Sequence, residues 1–328
     1  MINFEKKNTS VSVVIPAYNE ENTIGALIEA LLNQTYLPDE IIINYKKSKD
    51  KTKEIISKYC DNNKNIILMN RVGICRGSAR NEAANLSKSQ YIAFIDAGII
   101  PDKNWLMSFI NNIKKNKSEI IFGSVYFFPK NLLEGSYAAT FFDKSKGLDY
   151  ISPSVASMFI KRDVWDKIEL FPVSKDGSYV VEDLRFINSI IKSKFFISYQ
   201  ANAKVNWLID LNIKKIFFRF FNNSYGGLKA GFFRSWHLGL IRNFIIFLLI
   251  FLISFLISKK LIFIIILLIL YKSFRYLKIS LWFKKSNFLK KIIYLLITSL
   301  FFILIDIASL AGLIKWIFSG MPKVKESI

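Results

Sequence analysis

Tyr91-Ile92-Ala93-Phe94-Ile95-Asp96-Ala97-Gly98 decides how this 328-residue chain is read. The apolar run ends on a single carboxylate, Asp96, and Ala97-Gly98-Ile99-Ile100-Pro101 follows it. A run with no polar alternation is the signature of a strand buried on both faces. A carboxylate at the carboxyl end of such a strand lies where open α/β sheets bind their ligands.

The flanking sequence supplies the rest of that sheet. Val11-Ser-Val-Val-Ile15 is a short β-branched run that Pro16 is expected to stop, and Glu40-Ile-Ile-Ile43 and Ile66-Ile-Leu-Met69 read as two further strands. Between them, residues 19–33 place Ile24, Leu27, Ile28, Leu31 and Leu32 at helical spacing, with Asn19 or Asn22 as candidate caps. Residues 51–59, 77–86 and 105–115 read as further helices. Short apolar strands alternating with amphipathic helices imply a parallel sheet covered on both faces. No Gly-x-Gly-x-x-Gly follows the first strand, which disfavours a dinucleotide fold. Residues 120–210 are less regular, with strands expected at 120–128, 157–160 and 195–199 and a helix at 182–191, as a mixed second half of the same domain.

Composition narrows the chemistry. The formal net charge is +21, and residues 211–328 hold 18 of the 46 Lys/Arg but 2 of the 25 Asp/Glu. Those cations are interleaved with long apolar runs, which fits a membrane address and contact with anionic lipid; no separate basic module suits nucleic acid. Cys60 and Cys75 form no Cys-x-x-Cys, so neither a disulfide framework nor a zinc site is indicated. His237 is the only histidine, which excludes a Ser-His-Asp or Cys-His site and leaves carboxylates, Lys or Tyr as bases. His237 itself reads as an interfacial residue, and Cys75 as a small buried one. The N-terminus lacks an apolar signal region, so the first domain is expected in the cytoplasm.

Four pieces carry chemistry. Ile15-Pro-Ala-Tyr-Asn-Glu-Glu21 follows the first strand and suits a base and ribose. Arg76-Gly-Ser-Ala-Arg80-Asn81 opens a helix, and a helix N-terminus with two guanidiniums suits a diphosphate. Asp96-Ala-Gly98 is the third piece. Val180-Val-Glu182-Asp183-Leu184, at a helix start, is the fourth.

In this order the pieces resemble the family 2 glycosyltransferases of the GT-A fold. The matching residues are Pro16-Ala-Tyr-Asn-Glu20, Ala79-Arg-Asn81, Phe94-Ile-Asp-Ala97 with Pro101 and Trp105-Leu106, and Glu182-Asp183. The resemblance implies an α/β, Rossmann-like mixed sheet with helices on both faces, followed by C-terminal transmembrane or interfacial helices. It implies a nucleotide-sugar donor held by Pro16, Ala17, Tyr18, Glu20, Asn44, Arg76, Arg80, Asp96 and Arg219. Asp96 would hold a divalent Mg or Mn ion, and Asp183, or secondarily Glu182, would deprotonate an acceptor hydroxyl that attacks with inversion. The chain departs from the family pattern twice. Tyr45-Lys46 stands where an Asp pair is usual, which leaves the donor base open and points to Asn44 or Tyr45. Gly98 replaces the second carboxylate of an Asp-x-Asp motif. Asp102 reads as a helix cap ahead of Trp105.

The expected organisation is a catalytic domain over residues 1–210, a basic-aromatic juxtamembrane segment over 211–237, a membrane region over 238–318 with two or three spans and an interfacial basic stretch at 272–291, and a tail over 319–328. The expected function is a multi-pass, membrane-anchored enzyme with its catalytic domain at the cytoplasmic face and a lipid-linked or saccharide acceptor, in polysaccharide or glycolipid assembly. A polyprenyl-phosphate glycosyltransferase and a non-catalytic, nucleotide-sugar-binding or scaffold subunit of a synthase are the rival readings. Asp306, inside the last apolar run, is expected near the cytoplasmic face or in a buried pair.

Overall fold

The computed structural model describes residues 9–70, 75–141, 153–173, 181–233 and 237–321. In chain order the elements are β1 (Val11–Ala17), α1 (Ile24–Leu32), β2 (Glu40–Tyr45), α2 (Thr52–Asn62), β3 (Ile66–Asn70), α3 (Arg76–Leu86), β4 (Tyr91–Phe94), β5 (Ile99–Pro101), α4 (Trp105–Asn116), β6 (Ile120–Tyr126), α5 (Leu132–Phe141), β7 (Met158–Lys161), α6 (Arg162–Trp165), α7 (Glu182–Lys192) and β8 (Ile197–Trp207). The C-terminal part adds α8 (Ile213–Lys229), α9 (Leu238–Leu256), α10 (Ile262–Leu277), α11 (Leu281–Lys284) and α12 (Phe288–Phe318).

The chain forms two compact units. Among the described residues, the first takes everything up to Phe127, then 153–173 and 182–208; the second takes 128–141 and Val181, then 209–321. The sequence placed all of 120–210 in one domain. The structure instead sorts α5 with the C-terminal helices, because Gly135 to Ala139 are buried there. Tyr137 packs on Phe301 at 5.1 Å between ring centroids, and Thr298 Oγ1 donates to the Ser136 carbonyl at 3.4 Å.

The sheet of the first unit runs β3-β2-β1-β4-β7-β6-β8-β5. Its first four strands are parallel; β7 pairs antiparallel with both β4 and β6, β8 runs parallel to β6, and β5 runs antiparallel to β8. The central strands β1, β2 and β4 are buried on both faces, and the alternation of side chains sorts them into two cores. Val11, Val13 and Ile15 pack with α1 and α4 through Leu27, Ile28, Trp105 and Phe109. Val14, Ile42 and Phe94 pack on the other face with Ala83 of α3, Trp165 of α6 and Phe186 of α7.

Pro16 does not stop β1, which runs on to pair Ala17 with Tyr45. The β1–β4 ladder ends at Val14↔Phe94, so Pro16 lies beyond the stretch where β1 has neighbours on both sides. β6 and β8 shift register between Gly123 and Ser124. A Cβ at Gly123 would overlap Ser157 Oγ and the Ala203 carbonyl oxygen, so the close approach there requires glycine. α1 is capped by neither Asn19 nor Asn22 but begins after Thr23. Asn19, at φ 55°, instead clips the 46–50 loop: its N–H donates to Ser48 Oγ (2.9 Å) and its Oδ1 accepts from Lys49 N (3.0 Å).

In the second unit, one described helix, α12, is long and apolar enough to cross a membrane. A second or third span is not supported among the described residues. The turn at Lys259–Leu261 separates α9 from α10, and Lys272 and Arg275 occupy the last part of the 16-residue α10. A span needs about 20 apolar residues. The basic stretch 272–291 is likewise no single segment; it divides among α10, α11 and the start of α12. α8 and α12 lie so close that a Cβ on Gly312 would stand 2.6 Å from the Phe221 carbonyl. His237 is buried rather than interfacial, with Nε2 2.8 Å from Ser224 Oγ. Asp306 is paired with Lys272 at 2.7 Å. The tail beyond Met321 lies outside the described residues.

Candidate active site

From β1 the chain steps outward through β2 to β3, then returns to place β4 on the other side of β1. The carboxyl ends of β1 and β4 therefore flank a topological switch point, where open α/β sheets leave a crevice. The end of β1 and the chain past it supply Ala17, Tyr18 and Glu20 here. Asp96 lies two residues past β4 and opens a turn that the Ile99 N–H closes on its carbonyl at 3.2 Å.

α3 rises on the face beneath this crevice. Cys75 is its N-cap, not a buried filler: Sγ accepts from Ser78 N at 3.4 Å, and Ser78 Oγ returns to the Cys75 N–H. Arg76 opens the helix and Arg80 follows one turn later. Arg80 is 1% exposed and carries a three-carboxylate cluster. Its Nη2 meets Asp96 Oδ1 at 2.6 Å, its Nη1 bonds Asp183 Oδ1, and Glu182 Oε1 stands 4.0 Å from Nη1. Its guanidinium lies over the Phe171 ring, 5.3 Å from the centroid. Asn81 fixes that ring by bonding both main-chain groups of Phe171, with Nδ2 to O at 2.9 Å and N to Oδ1 at 3.1 Å. Asn81 was legible only as a motif letter, and Phe171 had no sequence signal at all; ninety residues separate the two in the chain.

Sequence reasoning aimed Arg80 at a diphosphate. The structure puts it behind the carboxylates: Asp96 and Asp183 keep 28% and 38% of their side-chain surface, so solvent reaches them and not the guanidinium. Arg76 is the α3 guanidinium nearer solvent. The Glu182 carboxyl is pushed up to about 7, by burial first and by the Asp183 charge second, against the pull of Arg80 and Arg76. Burial also acts to raise Asp96, but Arg80 and Arg76 outweigh it and hold that carboxyl below its ordinary value. The same carboxylates keep Arg80 protonated by raising its pKa further.

Two other expectations, those for Asn44 and Asp102, resolve differently. Asn44 is fully buried and gives its amide to the Ala79 carbonyl (2.9 Å) and Glu82 Oε2 (3.0 Å), tying β2 to α3 rather than facing the crevice as a base reader. Tyr18 is exposed, with Lys46 Nζ 5.5 Å from its ring centroid. Asp102 does not cap α4, which starts after Asn104; its carboxylate accepts from the Tyr126 hydroxyl. Glu20 accepts from Thr23 Oγ1 at 2.7 Å, and its Oε2 lies 3.8 Å from where a Cβ on Gly98 would stand. Arg219 lies on α8 of the second unit.

Carboxylates of contrasting acidity gathered on one guanidinium, at the switch point of an α/β sheet, make this a candidate enzyme site. Comparison with known proteins makes the class particular. Residues 12–169, just under half of the chain, match the family described as Glycosyl transferase family 2. Among curated relatives, the UDP-Glc:alpha-D-GlcNAc-diphosphoundecaprenol beta-1,3-glucosyltransferase WfaP of Escherichia coli is 40% identical over 104 residues, covering 31% of this chain and 39% of that protein. The poly(ribitol-phosphate) beta-glucosyltransferase of Bacillus spizizenii is 32% identical over 119 residues, covering 35% and 19%. The aligned part thus spans well under half of either relative. S. aureus TarS 1-349 in complex with UDP is similar at 16% identity with a TM-score of 0.48, covering 67% of this chain and 65% of that one.

Proposed function

We propose that this protein is a membrane-anchored inverting glycosyltransferase that moves a sugar from a nucleotide-sugar donor to a hydroxyl of a lipid-linked acceptor, in polysaccharide or glycolipid assembly. One observation carries the reading: Asp96 and Asp183, from elements far apart in sequence, present open carboxylate surface side by side on Arg80 at the switch point. The family match supports the reaction class, and the printed activity of the Escherichia coli relative supports a lipid-linked acceptor.

In this reading, Tyr18 offers its exposed ring to the nucleobase. Arg76, at the N-terminus of α3, faces the diphosphate. Asp183 accepts the proton of the acceptor hydroxyl as that oxygen attacks the anomeric carbon, and the nucleoside diphosphate departs from the opposite side. Glu182 is buried and less able to reach an acceptor, which favours Asp183 as the base.

Among the described residues, no three His, Cys, Asp or Glu side chains gather as a metal cage. The donor set still fits a hard divalent cation, since Mg²⁺ binds through one or two carboxylates, keeps waters and shares substrate phosphates. Asp96 would hold it through the oxygen not engaged by Arg80. When bound, such an ion would neutralise charge on the departing diphosphate. The α12 helix would anchor the chain, and the cations of residues 211–321 would face anionic headgroups.

The test is transfer to lipid-linked acceptors from a panel of sugar nucleotides, with and without chelator. Transfer by the wild type and a loss of about 10²–10⁴-fold in Asp183→Asn is expected. Wild-type turnover in Asp183→Asn would remove the base assignment, and full activity in excess chelator would remove the metal.

A further inference from the structure

We propose that Arg80 is a positioning residue that couples the donor half of the site to its acceptor half. The inference rests on the assignment of Asp96 to the donor and Asp183 to the acceptor. It goes beyond that assignment by making the two halves respond to each other.

One guanidinium serves both carboxylates. Nη2 holds Asp96, which follows β4; Nη1 holds Asp183, in the first turn of α7. The two acids lie 16 and 103 residues from Arg80 in sequence, so Arg80 joins elements that local structure does not. Each acid gives Arg80 one oxygen. Arg80 itself is sealed in, with Phe171 beneath it, Asn81 holding Phe171, and Gly77 so close to the Pro172 carbonyl that a Cβ there would stand 3.0 Å away. A guanidinium fixed in this way does not follow a ligand into the crevice. It divides its charge and its hydrogen bonds between two acids that do meet ligands.

The consequence is reciprocal. A cation–diphosphate complex at Asp96 draws on the charge of that carboxylate and weakens its hold on Arg80. The share of Arg80 available to Asp183 then changes, and with it the position of the acceptor base. By linkage, a change at Asp183 alters donor affinity by the same factor. Lysine cannot reproduce the device, because a single ammonium lacks the planar fork that spans two acids.

The experiment is calorimetric titration of the purified full chain with UDP, GDP, CDP and dTDP, each with Mn²⁺. It uses wild type, Asp183→Asn, Arg80→Lys and the double variant, with thermal melting to confirm folding. Coupling predicts that Asp183→Asn shifts the affinity of the binding diphosphate by about tenfold, within the usual range for coupled sites. In the Arg80→Lys background the same substitution shifts it less than about twofold, because the connection is gone. An undiminished effect in that background would mean simple through-space repulsion and would overturn the coupling. So would an unchanged affinity in Asp183→Asn. Wild type that binds none of the four diphosphates would overturn the donor-site reading, and the coupling with it. If Arg80→Lys does not fold, Asp96→Asn takes its place: coupling then requires its effect on melting to be non-additive with that of Asp183→Asn, and additivity refutes it.

Discussion

Replacing Glu182 by Gln should stabilise this protein at alkaline pH and leave it nearly unchanged at acid pH. Burial and the neighbouring Asp183 raise the Glu182 carboxyl from 4.5 to about 7. The folded chain therefore binds this proton more tightly than the unfolded chain. Below about pH 4.5 both states are protonated and the residue is neutral in effect. As pH rises from there to about 7, the unfolded state gives up the proton freely while the folded state resists. Stability then falls, and above pH 7 the full cost is present. The size of the displacement corresponds to about 3 kcal/mol, and Glu182 is buried enough for most of that to be felt. Gln keeps the shape and carries no charge. Denaturant unfolding of wild type and Glu182→Gln at pH 5 and pH 8 should show the variant more stable by under about 1 kcal/mol at the lower pH and by about 2–3 kcal/mol at the higher. Asp96 does not disturb this window. Its depressed carboxyl contributes stability above its ordinary value near 4, which is lost only as pH falls below that. Parallel curves for the two proteins would refute the argument that Glu182 is a strained, buried acid.

Other substitutions probe the frame that holds the site. Asn81→Ala removes both bonds to the Phe171 main chain and leaves two buried polar groups unpaired; melting should fall by an amount equivalent to about 2–4 kcal/mol. Gly123→Ala forces a Cβ into Ser157 and Ala203 at the β6–β8 register shift, and denaturant unfolding should show a loss of about 1–3 kcal/mol. Asp306→Asn breaks the pair with Lys272 and should lower the melting temperature in detergent more than Asp306→Asn combined with Lys272→Met, since the lone substitution leaves a cation without its acid.

Much of the first unit was legible from residue order, because its determinants are local. The runs at Val11, Glu40, Ile66 and Tyr91 are apolar on successive residues, and the intervening helices repeat at 3.6, so burial on both faces of a sheet follows from composition alone. The elements missed are those whose reason lies elsewhere in the chain. β8 runs to Trp207 through Gln200, Asn202, Lys204 and Asn206; only Ala203 and Val205 are fully buried, and the strand exists because β6 and β5 flank it. α5 has no apolar stripe to announce it and is buried through contacts with α12, more than 150 residues later.

The site divides in the same way. The sequence by itself determined which side chains are available for chemistry: a carboxylate after an apolar strand, two arginines at a helix start, an acidic pair at another, and no histidine to serve as base. Tertiary structure alone decided how they are used. It buried Arg80 behind Asp96 and Asp183, turned Asn44 into a tie between β2 and α3, and separated Glu182 from Asp183 by exposure although they are adjacent in the chain. Residue type fixes what charge a group can carry. Desolvation and the distance to its partners fix whether it carries that charge, and both arise only when distant segments fold together.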